Sequence, residues 1–218
     1  MVAFIFDIDG TIIDSMPSHA QSWKVFADRH GLDGVDDAFV RRTAGRTAVE
    51  VMRELFDPIS DAEALALSHQ KEQVYRDLFA AEFREVAGFA VFARAAKAHG
   101  VRLACATAGD ADNIAFALEG LGMADFFDAA VGAGDVARGK PAPDLFLLAA
   151  SRIGVAPESC LVFEDAPLGI EGARRAGMRA VGLTTTMPAD ALQGTHVLAH
   201  AADFSNLDVP ALLARLGE

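Results

Sequence analysis

Residues 4–15, FIFDIDGTIIDS, contain a short apolar run that ends in two aspartates, a glycine and a threonine. The run is rich in β-branched and aromatic residues, which is typical of a buried strand, and the glycine after it indicates a turn. Asp7 and Asp9 are two positions apart, and residues at that spacing point to one side of an extended chain. The segment therefore predicts a strand whose end presents two carboxylates beside Thr11.

Further short apolar runs follow along the chain, and segments with helical periodicity separate them. Alternation of strands and helices is typical of parallel βαβ units rather than of a β-sandwich. The sequence therefore predicts an α/β fold with a doubly wound parallel sheet. The predicted strands are residues 2–7, 102–107, 129–133, 160–165, 180–184 and 196–199.

One long interval interrupts this alternation because it contains helical patterns and no strand run. Val49 and Met52 recur at helical spacing, and Ser60 with Glu63 has the form of a capping box that begins a helix. We therefore predict an all-helical cap domain at residues 15–85, inserted into a core made of residues 1–14 and 86–218.

Composition limits the partners of the chain. Its 218 residues are 52% hydrophobic and 23% charged, as in ordinary globular proteins, and the formal net charge is −12. Such a surface repels nucleic-acid backbones and anionic lipid, and no apolar stretch is long enough to span a membrane. Cys105 and Cys160 lie in apolar runs and are expected to be buried thiols. We expect a cytoplasmic protein, a monomer or weak dimer, with no nucleic-acid or membrane partner.

Polar residues follow the predicted strands at the points where the strands end. The carboxyl ends of parallel strands meet at one edge of a sheet, and ligands bind beyond that edge. A helix start after the second strand adds backbone N–H groups, which favour an anion. The residues expected at this edge are Asp7, Asp9, Thr107, Ala108, Lys140 in the segment GKPAPD, Glu164 and Asp165.

The charge of this predicted cluster indicates a metal ion. Four carboxylates and one lysine carry a charge of −3, which would repel a phosphate group. One divalent cation reduces the charge to about −1, and Mg²⁺ prefers oxygen ligands while leaving coordination positions open for a substrate. A carboxylate nucleophile, a lysine and Mg²⁺ together form a coherent site for phosphoryl transfer.

The order of these motifs closely resembles the haloacid dehalogenase superfamily. FIFDIDGTIIDS resembles the first motif, Thr107 the second, Lys140 the third, and FEDAPLGIEGARRAG at residues 163–177 the fourth. The resemblance covers the whole core and implies a Rossmann-like sheet with a helical cap between the first and second motifs. Within the superfamily, the chain is most similar to β-phosphoglucomutases and sugar-phosphate phosphatases.

The resemblance also implies roles for individual residues. Asp7 would be the nucleophile that forms an aspartyl-phosphate, and Asp9 would be the general acid and base, which the founding dehalogenases lack. An unperturbed aspartate has a pKa of about 3.9, so we expect crowded carboxylates to raise the pKa of Asp9 for acid catalysis. Metal ligands would be Asp7, the Asp9 carbonyl, Asp165 and, through water, Glu164. Thr107, the Ala108 N–H and Lys140 would hold the phosphoryl oxygens.

Three residues of the predicted cap are candidates for substrate binding. His19 in DSMPSHAQSW and Lys71 in KEQVY match positions that face the active site in sugar-phosphate members of the superfamily. Arg46 in AGRT could hold an anionic substrate through two hydrogen bonds. Each could instead be an ordinary packing or solvated residue.

Two activities and two less favoured interpretations follow. The primary prediction is an Mg²⁺-dependent phosphatase acting on a small phosphorylated metabolite such as a sugar phosphate, and the alternative is β-phosphoglucomutase. The mutase pattern has an arginine at the position of Ala48 and usually a hydroxyl at that of Gly109, so both departures favour the phosphatase. Gly134, Gly139 and Lys140 have the spacing of a nucleotide-binding P-loop, but Pro141 lacks the required hydroxyl and N–H. An inactive binding module is disfavoured because no motif residue is missing.

Overall fold

A six-stranded parallel sheet forms the centre of the computed structural model, which describes residues 1–217. The strands are β1 (Ala3–Phe6), β2 (Arg102–Ala106), β3 (Ala129–Val131), β4 (Cys160–Glu164), β5 (Arg179–Leu183) and β6 (Val197–Ala201). Their order is β3-β2-β1-β4-β5-β6, and every predicted strand is present. From β1, the chain adds strands first on one side, as β2 and β3, and then on the other side, as β4 to β6. Ligands of such sheets bind beyond the carboxyl ends of the strands where this order reverses.

Nine α-helices accompany the sheet in the part of the chain that the structure describes. They are α1 (Met16–His30), α2 (Asp37–Thr43), α3 (Ala48–Leu55), α4 (Asp61–Ala80), α5 (Phe89–Ala98), α6 (Ala111–Gly120), α7 (Asp144–Arg152), α8 (Pro167–Arg175) and α9 (Val209–Leu216). Among residues 1–217, no helix combines the length and the apolar character needed to cross a bilayer.

Both faces of the sheet are buried, as a doubly wound fold requires. Side chains alternate along a strand, so Phe4 and Phe6 of β1 pack into one apolar cluster while Ala3 and Ile5 pack into the other. Phe6 and Phe163 stack with their ring centroids 4.7 Å apart. Apolar layers therefore cover both faces of the sheet, and the predicted α/β fold is confirmed.

Helices α1 to α4 form the segment that follows β1, called here the helical insertion (residues 16–80). It has an apolar cluster of its own, formed by Trp23, Phe26, Phe39, Val51, Met52 and Ala64. The predicted capping box is present at the start of α4, where the Glu63 N–H donates to Ser60 Oγ at 3.3 Å. The separation of the insertion as a cap domain with boundaries at residues 15 and 85 stays a prediction.

The two connections between the sheet and the helical insertion run side by side. The Asp14 N–H donates to the Arg84 carbonyl at 3.1 Å, and the Val86 N–H donates to the Ile12 carbonyl at 3.0 Å. The insertion therefore begins and ends at one place, directly beside the carboxyl end of β1.

Candidate active site

Asp7 lies at the carboxyl end of β1, in the middle of the sheet. Its backbone N–H donates to the Phe163 carbonyl at 3.0 Å, so Asp7 continues the pairing of β1 with β4. Gly10, in the turn that follows, has a φ of 74°, a conformation that favours glycine. A Cβ at Gly10 would also overlap the Asp165 carboxylate. Glycine at this position therefore allows the turn to approach the end of β4 closely.

Lys140 joins the two central strand ends. Its Nζ donates to Asp7 Oδ1 and to Glu164 Oε1, both at 2.5 Å, and only 3% of the residue is exposed. Burial alone would lower the pKa of Lys140, but the charges of Asp7 and Glu164 outweigh burial and raise it. Lys140 therefore remains a cation held between two carboxylates.

Negative charge is in excess around Lys140. Burial raises the pKa of Asp7 well above its usual range, the charges of Glu164 and Asp165 raise it further, and Lys140 opposes the change. Burial and the charge of Glu164 raise the pKa of Asp165 to about 7. The carboxylates at the strand ends therefore repel one another, and a bound cation would relieve this repulsion.

The donor set fits a hard divalent cation with a small number of protein ligands. Asp7 and Asp165 are buried oxygen donors with excess negative charge. No group of three His, Cys, Asp or Glu side chains within residues 1–217 is arranged to hold a metal, but the predicted set needs only two carboxylates and the Asp9 carbonyl. Glu164 accepts from Lys140 with one oxygen and from the Ala166 N–H, at 2.7 Å, with the other. This arrangement favours the predicted contact of Glu164 through water.

Thr107 and Ala108 line the same cavity as Asp7, beyond the end of β2. The Thr107 N–H donates to the Val131 carbonyl at 3.0 Å, and Thr107 Oγ1 accepts from the Gly109 N–H at 3.1 Å. Asp110 caps α6 by accepting from the Asn113 N–H at 2.8 Å. The start of α6 therefore lies beside the carboxylates, where its N–H groups can receive an anion.

The expectation of a raised pKa for Asp9 is wrong in this structure. Burial would raise the pKa of Asp9, but the charge of His19 and hydrogen bonds, including those from Ser15 and Tyr75, lower it to about 2. Ser15 Oγ donates to Asp9 Oδ1 at 2.7 Å, and the Tyr75 hydroxyl donates to the same oxygen at 2.9 Å. His19 Nε2 is 3.0 Å from it, although not aligned for a hydrogen bond. Asp9 thus meets donors near the helical insertion instead of the other carboxylates.

The three residues predicted to bind substrate, which belong to the helical insertion, all line this cavity, which has a volume of about 90 Å³. Lys71 is 1% exposed, and its Nζ is 2.8 Å from His19 Nδ1 and 3.0 Å from Glu72 Oε1. Arg46 Nη1 donates to Glu54 Oε2 at 2.6 Å. The structure therefore brings His19, Arg46 and Lys71 to the cavity, and their roles in substrate binding stay predictions.

Sequence reasoning missed a polar contact between α4 and α6. Glu72 Oε2 accepts from Asn113 Nδ2 at 2.7 Å, and Arg76 Nη1 donates to Asn113 Oδ1 at 2.7 Å. Glu72 and Arg76 are four residues apart and therefore share a face of α4, which is the one signal the sequence holds. Their partner Asn113 lies 41 residues from Glu72, and no local pattern indicates it.

Comparison with known proteins gives the family. The model of the haloacid dehalogenase-like hydrolases matches residues 1–177. Fructose-1-phosphate phosphatase YqaB of Escherichia coli is 37% identical over 180 residues, which cover 81% of this chain and 93% of that protein. Validoxylamine A 7'-phosphate phosphatase of Streptomyces hygroscopicus subsp. limoneus is 35% identical over 201 residues, which cover 89% of this chain and 91% of that protein.

A solved structure with a different activity is also similar. The β-phosphoglucomutase of Clostridium difficile superimposes with a TM-score of 0.87 at 25% identity, covering 100% of this chain and 98% of that one. The chain belongs to the haloacid dehalogenase-like hydrolases, and the predicted resemblance is confirmed. The class of enzyme predicted from the sequence, a phosphohydrolase of this family, is confirmed as well.

Proposed function

We propose that this enzyme is an Mg²⁺-dependent phosphatase that hydrolyses a small phosphorylated metabolite, such as a sugar phosphate, through an aspartyl-phosphate. The observation that carries the proposal is the position of Lys140, within 2.5 Å of both Asp7 and Glu164 at the buried strand ends. A lysine held beside a candidate nucleophile can neutralise charge on a transferring phosphoryl group. The similar phosphatases from Escherichia coli and Streptomyces support the same reaction class.

In the first half-reaction, a carboxylate oxygen of Asp7 attacks phosphorus, and the bond from phosphorus to the ester oxygen breaks. The leaving oxygen takes a proton from Asp9. Thr107 Oγ1, the Ala108 N–H and Lys140 Nζ hold the phosphoryl oxygens while this occurs. Asp7, the Asp9 carbonyl and Asp165 would hold Mg²⁺, which supplies positive charge against the phosphoryl oxygens.

In the second half-reaction, Asp9 accepts a proton from water while the water oxygen attacks the aspartyl-phosphate. The bond between phosphorus and the Asp7 oxygen breaks, and inorganic phosphate leaves. With a pKa of about 2, Asp9 is ionised in the arrangement described here, which suits this step. The first half-reaction needs the protonated acid, so substrate binding has to weaken the contact of Asp9 with His19, Ser15 or Tyr75.

The test is phosphate release from a panel of sugar phosphates with Mg²⁺, combined with a coupled assay for glucose 6-phosphate made from β-glucose 1-phosphate. We expect free phosphate to be the main product and Asp7→Asn to lower turnover by about a thousandfold or more. The exposed Asp190 provides the matched control, since Asp190→Asn removes the same charge away from the cavity. Glucose 6-phosphate with little free phosphate would identify a mutase instead, and full turnover by Asp7→Asn would exclude the covalent mechanism.

A further inference from the structure

The cavity beside Asp7 holds no cation that is free of an acidic partner among the residues that the structure describes. Three side chains lining it can be cationic, and each has a carboxylate close by. His19 Nε2 lies 3.0 Å from Asp9 Oδ1, Arg46 Nη1 lies 2.6 Å from Glu54 Oε2, and Lys71 Nζ lies 3.0 Å from Glu72 Oε1. Lys140 is likewise held by Asp7 and Glu164. The wall that faces the leaving group of a substrate therefore offers no surplus of positive charge.

A second, larger cavity of about 490 Å³ adjoins the first, between the helical insertion and the start of α6. The two cavities share the lining residues Ala48, Glu72, Ala108 and Gly109. The larger cavity provides room for a leaving group that extends beyond the phosphate site. Its ionisable lining is mostly acidic, and consists of Glu50, Arg53, His69, Glu72, Asp110 and Asp112.

Glu72 lies in the wall common to both cavities and is only 6% exposed. Burial alone would raise the pKa of Glu72, but the charges of Lys71 and His19 and hydrogen bonds from Asn113 and Lys71 lower it. Glu72 is therefore a carboxylate at neutral pH. Its Oε1 and Oε2 each accept one protein hydrogen bond, and a carboxylate oxygen has a second lone pair for a substrate hydroxyl.

We propose that Glu72 selects the substrate by its charge. The enzyme accepts phosphate monoesters of uncharged polyhydroxyl compounds and rejects esters that carry a second phosphate or a carboxylate. This inference rests on the proposed phosphatase function. A second anionic group reaching the shared wall would approach the Glu72 carboxylate, which is only 6% exposed, so water screens the repulsion between the two anions weakly. Hydroxyl groups would instead donate to Glu72. The same repulsion opposes a mutase, because moving phosphate between two hydroxyls of one sugar through an aspartyl-phosphate passes through a bisphosphate.

Matched substrate pairs test the proposal because they differ by one anionic group. Fructose 1-phosphate is compared with fructose 1,6-bisphosphate, and glucose 6-phosphate with 6-phosphogluconate, by kcat/KM for phosphate release. We expect the wild-type enzyme to prefer the member of each pair that lacks the second anionic group by about a hundredfold. Glu72→Gln keeps the shape of the side chain and removes its charge. It should reduce that preference at least tenfold, mainly by lowering KM for the substrate with the second anionic group.

Two further variants separate charge from positioning. Asn113→Ala removes a hydrogen bond to Glu72 and leaves its charge, so the preference should remain. Glu54→Gln frees Arg46 from a half-exposed partner without touching the buried residues, so it should increase turnover of the bisphosphate even if Glu72→Gln fails to fold.

An unchanged preference in a folded Glu72→Gln protein overturns the inference, and so does equal loss of preference in Asn113→Ala and Glu72→Gln. If Glu72→Gln does not fold, an unchanged turnover of the bisphosphate by Glu54→Gln overturns the charge argument instead. Wild-type enzyme that hydrolyses both members of each pair equally well refutes the role of Glu72 and leaves the phosphatase function intact. Wild-type enzyme that releases phosphate neither from the four compounds nor from any other phosphate monoester refutes the phosphatase function and this inference with it.

Discussion

Gly169 in α8 is a position where adding a single methyl group should disturb the contacts of Lys140. A Cβ at Gly169 would overlap Oε1 and Cδ of Glu164, so the Glu164 side chain would have to move in Gly169→Ala. Glu164 Oε1 accepts from Lys140 Nζ at 2.5 Å, and Oε2 accepts from the Ala166 N–H at 2.7 Å. The substitution therefore threatens two buried hydrogen bonds to a carboxylate.

The size of the effect follows from two opposing contributions. Hydrogen bonds to charged groups stabilise a protein by about 1.5–3 kcal/mol each, whereas alanine in a helix is about 0.5–1 kcal/mol more favourable than glycine. If both bonds to Glu164 are lost, the free energy of unfolding falls by about 2–5 kcal/mol. A loss of 1 kcal/mol lowers the melting temperature of a chain of this length by about 2–4 °C, so the melting temperature should fall by roughly 4–20 °C.

Thermal unfolding followed by circular dichroism measures this shift. Gly134 has open space around the site of an added Cβ, so Gly134→Ala is the matched control for stability and should change the melting temperature little. Adding Glu164→Asp to Gly169→Ala shortens the displaced side chain and should recover part of the loss. A Gly169→Ala protein as stable as the wild type, with unchanged phosphate release, would refute the packing argument and the role given to Glu164.

Three other predictions concern pH, proton transfer and metal. Partial burial of Asp128 would raise its pKa, but the hydrogen bonds that it accepts from the Leu103 N–H and from Arg102 lower it. The contribution of Asp128 to stability is therefore present above about pH 4 and is lost as the pH falls through its pKa in the folded protein. Asp128→Asn should therefore cost about 1–3 kcal/mol in urea unfolding at pH 7 and clearly less at pH 3; an equal cost at both values would contradict this. Tyr75→Phe removes a hydrogen bond of 2.9 Å to Asp9. It should change kcat for a sugar phosphate more than kcat for p-nitrophenyl phosphate, because the leaving group of the latter needs no proton. Equal changes in the two kcat values would show that Tyr75 acts only on structure. EDTA should abolish phosphate release. Mg²⁺ at a hundred times its Kd should stabilise the protein by about 2.7 kcal/mol in thermal unfolding, and Asp165→Asn should remove this stabilisation. Stabilisation by Mg²⁺ that persists in Asp165→Asn would place the metal elsewhere.

Hydrophobic pattern alone is enough to predict the sheet, because its central strands are buried on both faces. Strands of this kind appear as continuous apolar runs, and β1 and β4 are buried along their full lengths. The same property predicted which polar residues meet. Asp7, Thr107 and Asp165 follow strand ends, and parallel strands bring those ends to one edge whatever the intervening segments contain.

The environment of Asp9 could not be predicted in the same way. Its contacts include Tyr75, 66 residues away in α4, and their geometry depends on how α1 and α4 pack on each other. A crowded row of carboxylates in the sequence indicated a raised pKa, whereas the neighbouring His19 and two hydroxyl donors produce a lowered one. Sequence spacing shows which residues are neighbours on one strand, but it does not show the direction in which a side chain at the end of that strand points.

The position of Asp9 divides the proposed chemistry between two parts of the molecule. Asp7, Lys140 and Asp165 lie at strand ends or in loops of the sheet, so we expect the groups proposed to act on phosphorus to keep their positions if the helical insertion moves. Asp9 accepts hydrogen bonds from Ser15 and from Tyr75 in α4, and His19 in α1 lies 3.0 Å away, so the proton affinity of Asp9 depends on where these helices lie. A movement that separates Tyr75 and His19 from Asp9 would raise the pKa of Asp9 towards the range of an acid catalyst. We therefore expect a substrate bound between the insertion and the sheet to control proton transfer while leaving the proposed phosphate site unchanged.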